Sequence, residues 1–292
     1  MRSLAALAFL ALPLSAQTLE VPGDYADFQT ALDAAPPNAT VIVHGGHWCS
    51  LTVSKPVKIV GDPRPYVWGD GGGVLNPPMT LAGPGAGTVE LENVEIGMQV
   101  IWSAFDVSAP AIRGGGFDQL IVRDSKIDGP VWDAYNYVFA GAHAIDVDVR
   151  RVWVQNSTVT GADTVASTNA THHPFSNPTP LGAPGGSGIV TTGDVILIDS
   201  VVRAGSGDPV IIYASPTCDF VCPGGDGGHG VVARNLYRVR SSVHAGGPSS
   251  WLSETTGVCC QGSPGLRTVV LNEYVLDPSR WNLAWPNRPT FR

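Results

Sequence analysis

Two carboxylates and two guanidiniums share a recurring place in this chain. In the stretch His143-Ala-Ile-Asp-Val-Asp-Val149, Asp146 and Asp148 stand two residues apart. If the stretch is a strand, alternation turns both to one face, about 7 Å apart. Such a pair can hold a divalent cation or divide acid and base work between its members. Arg113 and Arg234 fill matching outward places in two related stretches, where a guanidinium can grip a ligand carboxylate through two parallel hydrogen bonds. The same four side chains would also make an ordinary solvated face with cross-strand ion pairs, and the sequence leaves both readings open.

Other reactive or sticky residues cluster between the recurring stretches. Trp132, Tyr135, Tyr137 and Trp251 fall in long intervening segments. Aromatic rings there could stack on sugar rings or pack the segments against one another. His229 ends a glycine-rich turn, Gly227-Gly-His-Gly230, and His172-His173 lie in mid-segment beside Pro174. No zinc-ligand spacing surrounds these histidines. The chain also lacks a phosphate-binding loop and a nucleophile-elbow motif.

What must position these residues is a line that recurs. Its clearest copy is Gly188-Ile-Val-Thr-Thr-Gly-Asp-Val-Ile-Leu-Ile-Asp-Ser-Val-Val-Arg-Ala-Gly205, which returns at 144–161 and 230–246 and more loosely at 111–129. Aligned on the polar residue ending the second aliphatic run, the copies give a column Asn93, Asp124, Asn156, Asp199, Ser241 and Asn272, spaced 31 to 43 residues apart. Two residues earlier stand Leu91, Val122, Val154, Leu197, Val239 and Val270. Repeats of this period stack, because one short strand pair cannot bury its apolar face alone. Alternation with period two makes them strands rather than helices. The polar column becomes a corner ladder, since Asn, Asp and Ser tolerate turn geometry and bond to neighbouring backbone. The expected fold is all-β: a single-stranded right-handed parallel β-helix, a solenoid in which each inward aliphatic contributes about 1.5–3 kcal/mol of burial.

The ends and the insertions follow from this frame. Residues 24–35 read as a helix capping the N-terminal end, with Asp24 as its cap, Phe28, Ala31, Leu32 and Ala35 on one face, and Pro36-Pro37 as its stop. Residues 63–87 read as loop plus one poor coil, and the tail 277–292, carrying Trp281 and Trp285, as a second cap. The extra length between copies always falls in one place, at 130–143, 163–187, 206–229 and 247–266. Stacking in register then brings all four segments out at one corner, as a lip beside the sheet of Gly-Ile strands. Long loops on a rigid scaffold are where function concentrates.

Residues 1–16 have a short charged start, an apolar run over 4–14 too short to span a membrane, and Ser15-Ala16. That is a secretory signal pattern, so 1–16 is expected to be removed and 17–292 to form one β-helix domain. The destination is outside the cell, in the periplasm or on the cell surface. A formal net charge of −8 argues against nucleic acid as a partner, and no second apolar run reaches about 18 residues, so no transmembrane segment is expected. A monomer is the simplest state. Five cysteines in an exported chain favour disulfides. Cys218 and Cys222 lie in one insertion and Cys259 and Cys260 in the next, which allows two bridges between them or one within 218–222, with Cys49 free.

The opening segment reads Val21-Pro-Gly-Asp-Tyr-Ala-Asp-Phe-Gln-Thr-Ala-Leu-Asp-Ala-Ala-Pro-Pro37, then Thr40-Val-Ile-Val-His-Gly-Gly-His-Trp48 and Leu51-Thr-Val-Ser-Lys-Pro-Val-Lys-Ile-Val-Gly61. Together with the ladder it resembles the pectin-lyase-like β-helix family of secreted bacterial type, over most of 17–292. The resemblance implies a groove on the Gly-Ile sheet, an extracellular polysaccharide as partner, and lyase or hydrolase chemistry. In uronate lyases of this fold acidic residues bind calcium and an arginine or lysine acts as base. That implies Asp146 and Asp148 as calcium ligands and catalytic acids, Arg234 as base, and Arg113 on the substrate beside Trp132, Tyr135, Tyr137 and Trp251. Gly228-His-Gly230 is similar to a motif of polygalacturonase-type hydrolases and implies a catalytic His229, but the acids that accompany that motif are missing from Gly188-Ile-Val-Thr-Thr192. The fold also hosts proteins without activity. Three readings therefore stand: a polysaccharide lyase or hydrolase, a carbohydrate-binding protein without turnover, and a structural surface protein.

Overall fold

The computed structural model describes residues 17–69, 77–97, 109–130, 141–164, 184–207, 226–248, 250–253, 257–261 and 263–276, the two short pieces at 250–253 and 257–261 as backbone alone. The described chain is all-β apart from one helix. Its strands alternate as the sequence does: Ala39–Val43 and Val57–Gly61 both bury every second residue. Apart from the hairpin of Ser250–Ser253 and Gly257–Gln261, the strands pair in parallel with their equivalents one repeat later. Ile59 faces Leu91, Leu91 faces Val122, Val122 faces Val154, and Val154 faces Leu197. All five are fully buried.

A second parallel sheet contains His47–Cys49, Tyr66–Trp68, Glu95–Gly97, Lys126–Asp128, Thr158–Thr160, Val201–Arg203 and Ser242–His244, side by side in that order. Its middle residues Val67, Ile96, Ile127, Val159, Val202 and Val243 form another buried column, and both sheets share one apolar core. In the larger sheet the pairing path closes on itself. Ile145–Gln155 pairs with both Ile189–Thr191 and Asp194–Ile198, and both of these pair with Val231–Val239. The two short strands lie end to end between the two long ones, so this part of the sheet is a small closed ring of strands.

Between the sheets the chain turns on single residues in the left-handed region: Asn93, Asp124, Asn156, Asp199 and Arg240, with φ of 53°, 50°, 46°, 50° and 46°. Asn and Asp enter this region most readily, because a short polar side chain can bond locally. The next residue continues a buried hydroxyl ladder. Val94 N–H donates to Ser125 Oγ, Ser125 N–H to Ser157 Oγ, Ser157 N–H to Ser200 Oγ, and Ser200 N–H to Ser241 Oγ, at 3.0–3.2 Å.

The aligned columns expected from the sequence hold through Asp199 and then fail. Ser241 belongs to the hydroxyl ladder, so the corner falls one residue earlier, on Arg240. A shift of one residue turns a strand's side chains to the other face. Arg238, not Val239, therefore faces Leu197 on the core side. One coil further on, Val270 faces Ala233, and Asn272 faces Asn235 in mid-strand and donates to its side-chain oxygen at 2.8 Å. Glu273 faces Leu236 and pairs with Arg238, whose side chain is 13% exposed. The aliphatic columns thus end in an ion pair.

The helix spans Phe28–Ala34 and buries Phe28, Ala31 and Leu32 against Thr18–Val21, Ala39–Val43 and Leu51–Val53. Its cap is Asp27, which accepts the Thr30 N–H at 2.8 Å, and not Asp24. The Asp24 carboxylate accepts the Glu20 N–H at 3.0 Å and closes the preceding turn instead. Tyr66–Trp68 and Met79–Ala82 are strands within 63–87, the region expected to be loop plus one poor coil. Among the described residues no helix is long and apolar enough to cross a membrane. Cys49 is exposed and unpaired. Residues 1–16, 277–292, Cys218 and Cys222 lie outside the described residues.

Candidate functional site

Positions on the larger sheet are set by register. Arg113 faces Asp146, Asp146 faces Val190, and Val190 faces Val232. Adjacent strands lie about 4.8 Å apart, so Arg113 and Asp146 are neighbours on one face. Two residues on, Asp148 faces Gly115 on one side and accepts the Thr192 hydroxyl on the other at 2.5 Å. Asp148 and Arg113 are exposed and Asp146 half-buried. Alternation alone therefore placed the acid pair and its arginine correctly on a shared outward face.

The backbone next to Asp148 is unusual. Gly114 and Gly116 have φ of 109° and 79°, and the register with the next strand slips between Gly115 and Phe117. A Cβ on Gly115 would lie 2.5 Å from the Asp148 carbonyl oxygen. Only glycine permits that approach, and it leaves Asp148 flanked on this side by bare backbone. The triplet Gly114-Gly-Gly116 inside a strand was the sequence signal for this bulge.

Arg234 is placed differently from the expectation. Its Nε donates to Asp194 Oδ1 at 3.0 Å, and Asn235 Nδ2 donates to the same oxygen at 2.8 Å. Burial pushes the Asp194 carboxyl up, but the hydrogen bonds from Arg234 and Asn235 outweigh it and hold it below the usual carboxylate range. The same contact pushes the Arg234 guanidinium up, the opposite of what a base requires. Asp194 was missed by the sequence reading, which followed the inward residues of its strand.

The donors do not make a cation site. Among the described residues no group of three or more His, Cys, Asp or Glu side chains converges to hold a metal. Asp148 already accepts from Thr192, and Asp146 faces a guanidinium. That set does not suit calcium, which takes six to eight oxygens, so no calcium-dependent step is derived.

At the neighbouring corner a cleft of about 490 Å³ is lined by His143, Ser187, Asp226, His229, Ser263 and Pro264, among others. His143, Ser187, His229 and Leu266 are equivalents, each two residues before the register-matched Ile145, Ile189, Val231 and Thr268. His143 Nδ1 accepts the Ser187 N–H at 2.9 Å, Ser187 Oγ the His229 N–H at 3.2 Å, and His229 Nδ1 the Leu266 N–H at 3.1 Å. Burial holds the His143 imidazole below its usual value, although Asp146 pulls it back up, and His229 pushes it further down. His229 thus uses one ring nitrogen to hold the backbone. Ser187 had no signal of its own in the sequence beyond its place in the column.

Trp132, Tyr135, Tyr137, His172 and His173 lie outside the described residues. Trp251 lies on Ser250–Ser253 and Cys259 and Cys260 on Gly257–Gln261, the two strands of an antiparallel hairpin. No protein-family model, curated protein or solved structure matches the chain.

Proposed function

We propose that the chain is a secreted right-handed parallel β-helix of pectin-lyase-like type that binds an extracellular polysaccharide along its Gly-Ile face. One observation carries the reading. The connections after Glu95–Gly97, Lys126–Asp128, Thr158–Thr160 and Val201–Arg203 leave the second sheet and re-enter on the larger one, and the connection after Ser242–His244 does so by way of the hairpin of Ser250–Ser253 and Gly257–Gln261, so their described ends share one edge of the face that bears Arg113, Asp146, Asp148 and Thr192. A face repeating every strand offers a linear polymer many weak contacts at once. The mixture of guanidinium, carboxylate and hydroxyl suits a polymer rich in hydroxyls with some carboxylates. Binding without turnover is favoured over lyase chemistry, because Arg234 is tied to Asp194 and its guanidinium is pushed up.

The test is an array of neutral and uronate-containing glycans, with product analysis, on wild type, Arg113→Ala and Asp148→Ala. Arg113→Ala should weaken binding of a uronate polymer about tenfold or more, the scale of one lost charge-assisted hydrogen bond, with thermal stability nearly unchanged. Unsaturated or hydrolysed product that disappears in Asp148→Ala would replace binding by catalysis. Failure of wild type to bind any glycan would leave a structural surface protein and end the proposal.

A further inference from the structure

We propose that the column His143, Ser187 and His229 is an acid-labile clasp on the corner at which the long connections re-enter the larger sheet, so that ligand engagement along the adjacent face is regulated by pH. The regulatory part rests on the binding function proposed above; the clasp itself does not.

Within the strands, N–H groups are satisfied by the neighbouring strand. At this corner the chain is arriving from a long connection, and the amides of Ser187, His229 and Leu266 each find a side-chain acceptor on the coil before. Carbonyls of the same column complete the tie in the other direction: Ala111 N–H donates to His143 O at 3.2 Å, and Gly188 N–H to His229 O at 3.0 Å. Four successive coils are therefore stitched at the roots of the segments that end at His143, Ser187, His229 and Leu266.

Two of the three acceptors are imidazole Nδ1 atoms. An Nδ1 that accepts an N–H must carry a lone pair, so each neutral ring is fixed with its proton on Nε2. Taking a proton from solvent turns Nδ1 into an N–H that points at another N–H, and the hydrogen bond becomes a repulsion. Ser187 has no such liability. The charged groups around the clasp, among the described residues, are few. Asp146 stands on the strand that His143 opens. Asp226 lines the same cleft and accepts the Ser263 N–H at 2.6 Å. Asp163 accepts the Ser206 N–H at 2.6 Å at the neighbouring segment root, and Arg267, beside Leu266, donates to the Val243 carbonyl oxygen at 3.0 Å. Asp146 favours the protonated ring of His143, whereas burial and the second histidine oppose it. The neutral, bonded form of His143 is therefore the stable one at neutral pH, and it is lost on acidification.

The experiment is amide hydrogen exchange with imidazole nitrogen NMR on the intact chain, between about pH 7.5 and about pH 5, the range in which histidine changes charge. Both rings should show the Nε2–H tautomer at the upper end. Protection of the Ser187 amide, corrected for intrinsic exchange, should fall about tenfold towards the lower end, in keeping with loss of its part-buried hydrogen bond to His143. His143→Asn and His229→Asn place an amide oxygen where Nδ1 was and should keep protection at both ends. His143→Leu should lose it at both. An Nδ1–H tautomer in either ring, protection that ignores pH in wild type, or pH-dependent protection of the Ser187 amide in His143→Asn overturns the clasp. Glycan binding is read in parallel. Binding to a glycan that stays constant while protection falls refutes the regulation, whereas no binding at any pH refutes only the function on which it rests.

Discussion

Ser157→Ala removes one oxygen, and its effect can be worked out from the ladder around it. Ser157 is 5% exposed and Ser125 4%. The Ser157 hydroxyl accepts the Ser125 N–H at 3.0 Å and donates to the Gln155 carbonyl at 2.6 Å. Alanine keeps the backbone and nearly the volume, but strands the Ser125 N–H where water cannot reach. An unsatisfied buried donor costs about 1–3 kcal/mol. In a chain of this size each kcal/mol lowers the melting temperature by about 2–4 °C, so the drop should be about 2–12 °C. The same deletion at Ser241 is an internal control. Its hydroxyl makes equivalent bonds, to the Ser200 N–H at 3.0 Å and the Val239 carbonyl at 2.8 Å, but the residue is half-buried and water can replace the lost oxygen. Urea melts of both variants, with exchange of the Ser125 and Ser200 amides, separate the cases. Equal losses in the two variants, or a loss below about 0.5 kcal/mol for Ser157→Ala, would refute burial as the source of the cost.

Three further outcomes are expected. Val154→Asp puts an unpaired charge into a fully buried column and should cost more than about 4 kcal/mol, leaving little folded protein by circular dichroism. Arg238→Ala leaves Glu273 without its partner at the end of the core and should cost up to about 3 kcal/mol in urea melts, whereas Arg238→Met with Glu273→Leu should restore most of it. Asp27→Ala should cost about 1 kcal/mol through loss of the helix cap. The hydrogen bond from the Thr30 backbone holds the Asp27 carboxyl below its usual value. Its contribution is therefore complete above the ordinary carboxylate range and disappears as pH falls through the lowered folded value. Thermal melts of wild type and variant should converge in acid, and a constant difference would contradict the capping role.

The sequence carried the parallel in-register strands, the first four members of the core column and the outward face, because alternation and a repeated spacing are both direct consequences of strand geometry. It misplaced the last two coils because polarity was used to find the corner. In Tyr237-Arg-Val-Arg-Ser-Ser242 several polar residues compete for that role, and the choice depends on which one can extend the buried hydroxyl ladder, a contact between coils about 40 residues apart. Arg234 was legible as an outward residue but not as a partner of Asp194, since the one-residue slip that brings Asp194 opposite Asn235 leaves no mark in the spacing. The histidine column was legible as a position, since 143, 187 and 229 each precede a copy of the repeat, but not as a contact, because the hydrogen bonds that join its members run between coils more than 35 residues apart.

These cases share one physical logic. A stack of parallel strands satisfies its own amides everywhere except at the corners, where the backbone rotates out of the ladder. Each corner must then recruit side-chain acceptors from a neighbouring coil, the following one at the serine corner and the preceding one at the histidine corner. At the tight corner between the sheets the acceptor is serine, buried and indifferent to pH over the neutral range, and the result is a rigid seam. At the corner that releases the long segments, two of the three acceptors are imidazoles, the one side chain whose ordinary pKa falls near neutrality. The fold needs an acceptor at both places, and serine at 187 proves that a hydroxyl fits the second corner too. Ser187 therefore supplies the decisive comparison: if a hydroxyl suffices at its position, histidine at 143 and 229 adds something that stability does not require, and sensitivity to protons is the property by which the two acceptors differ most.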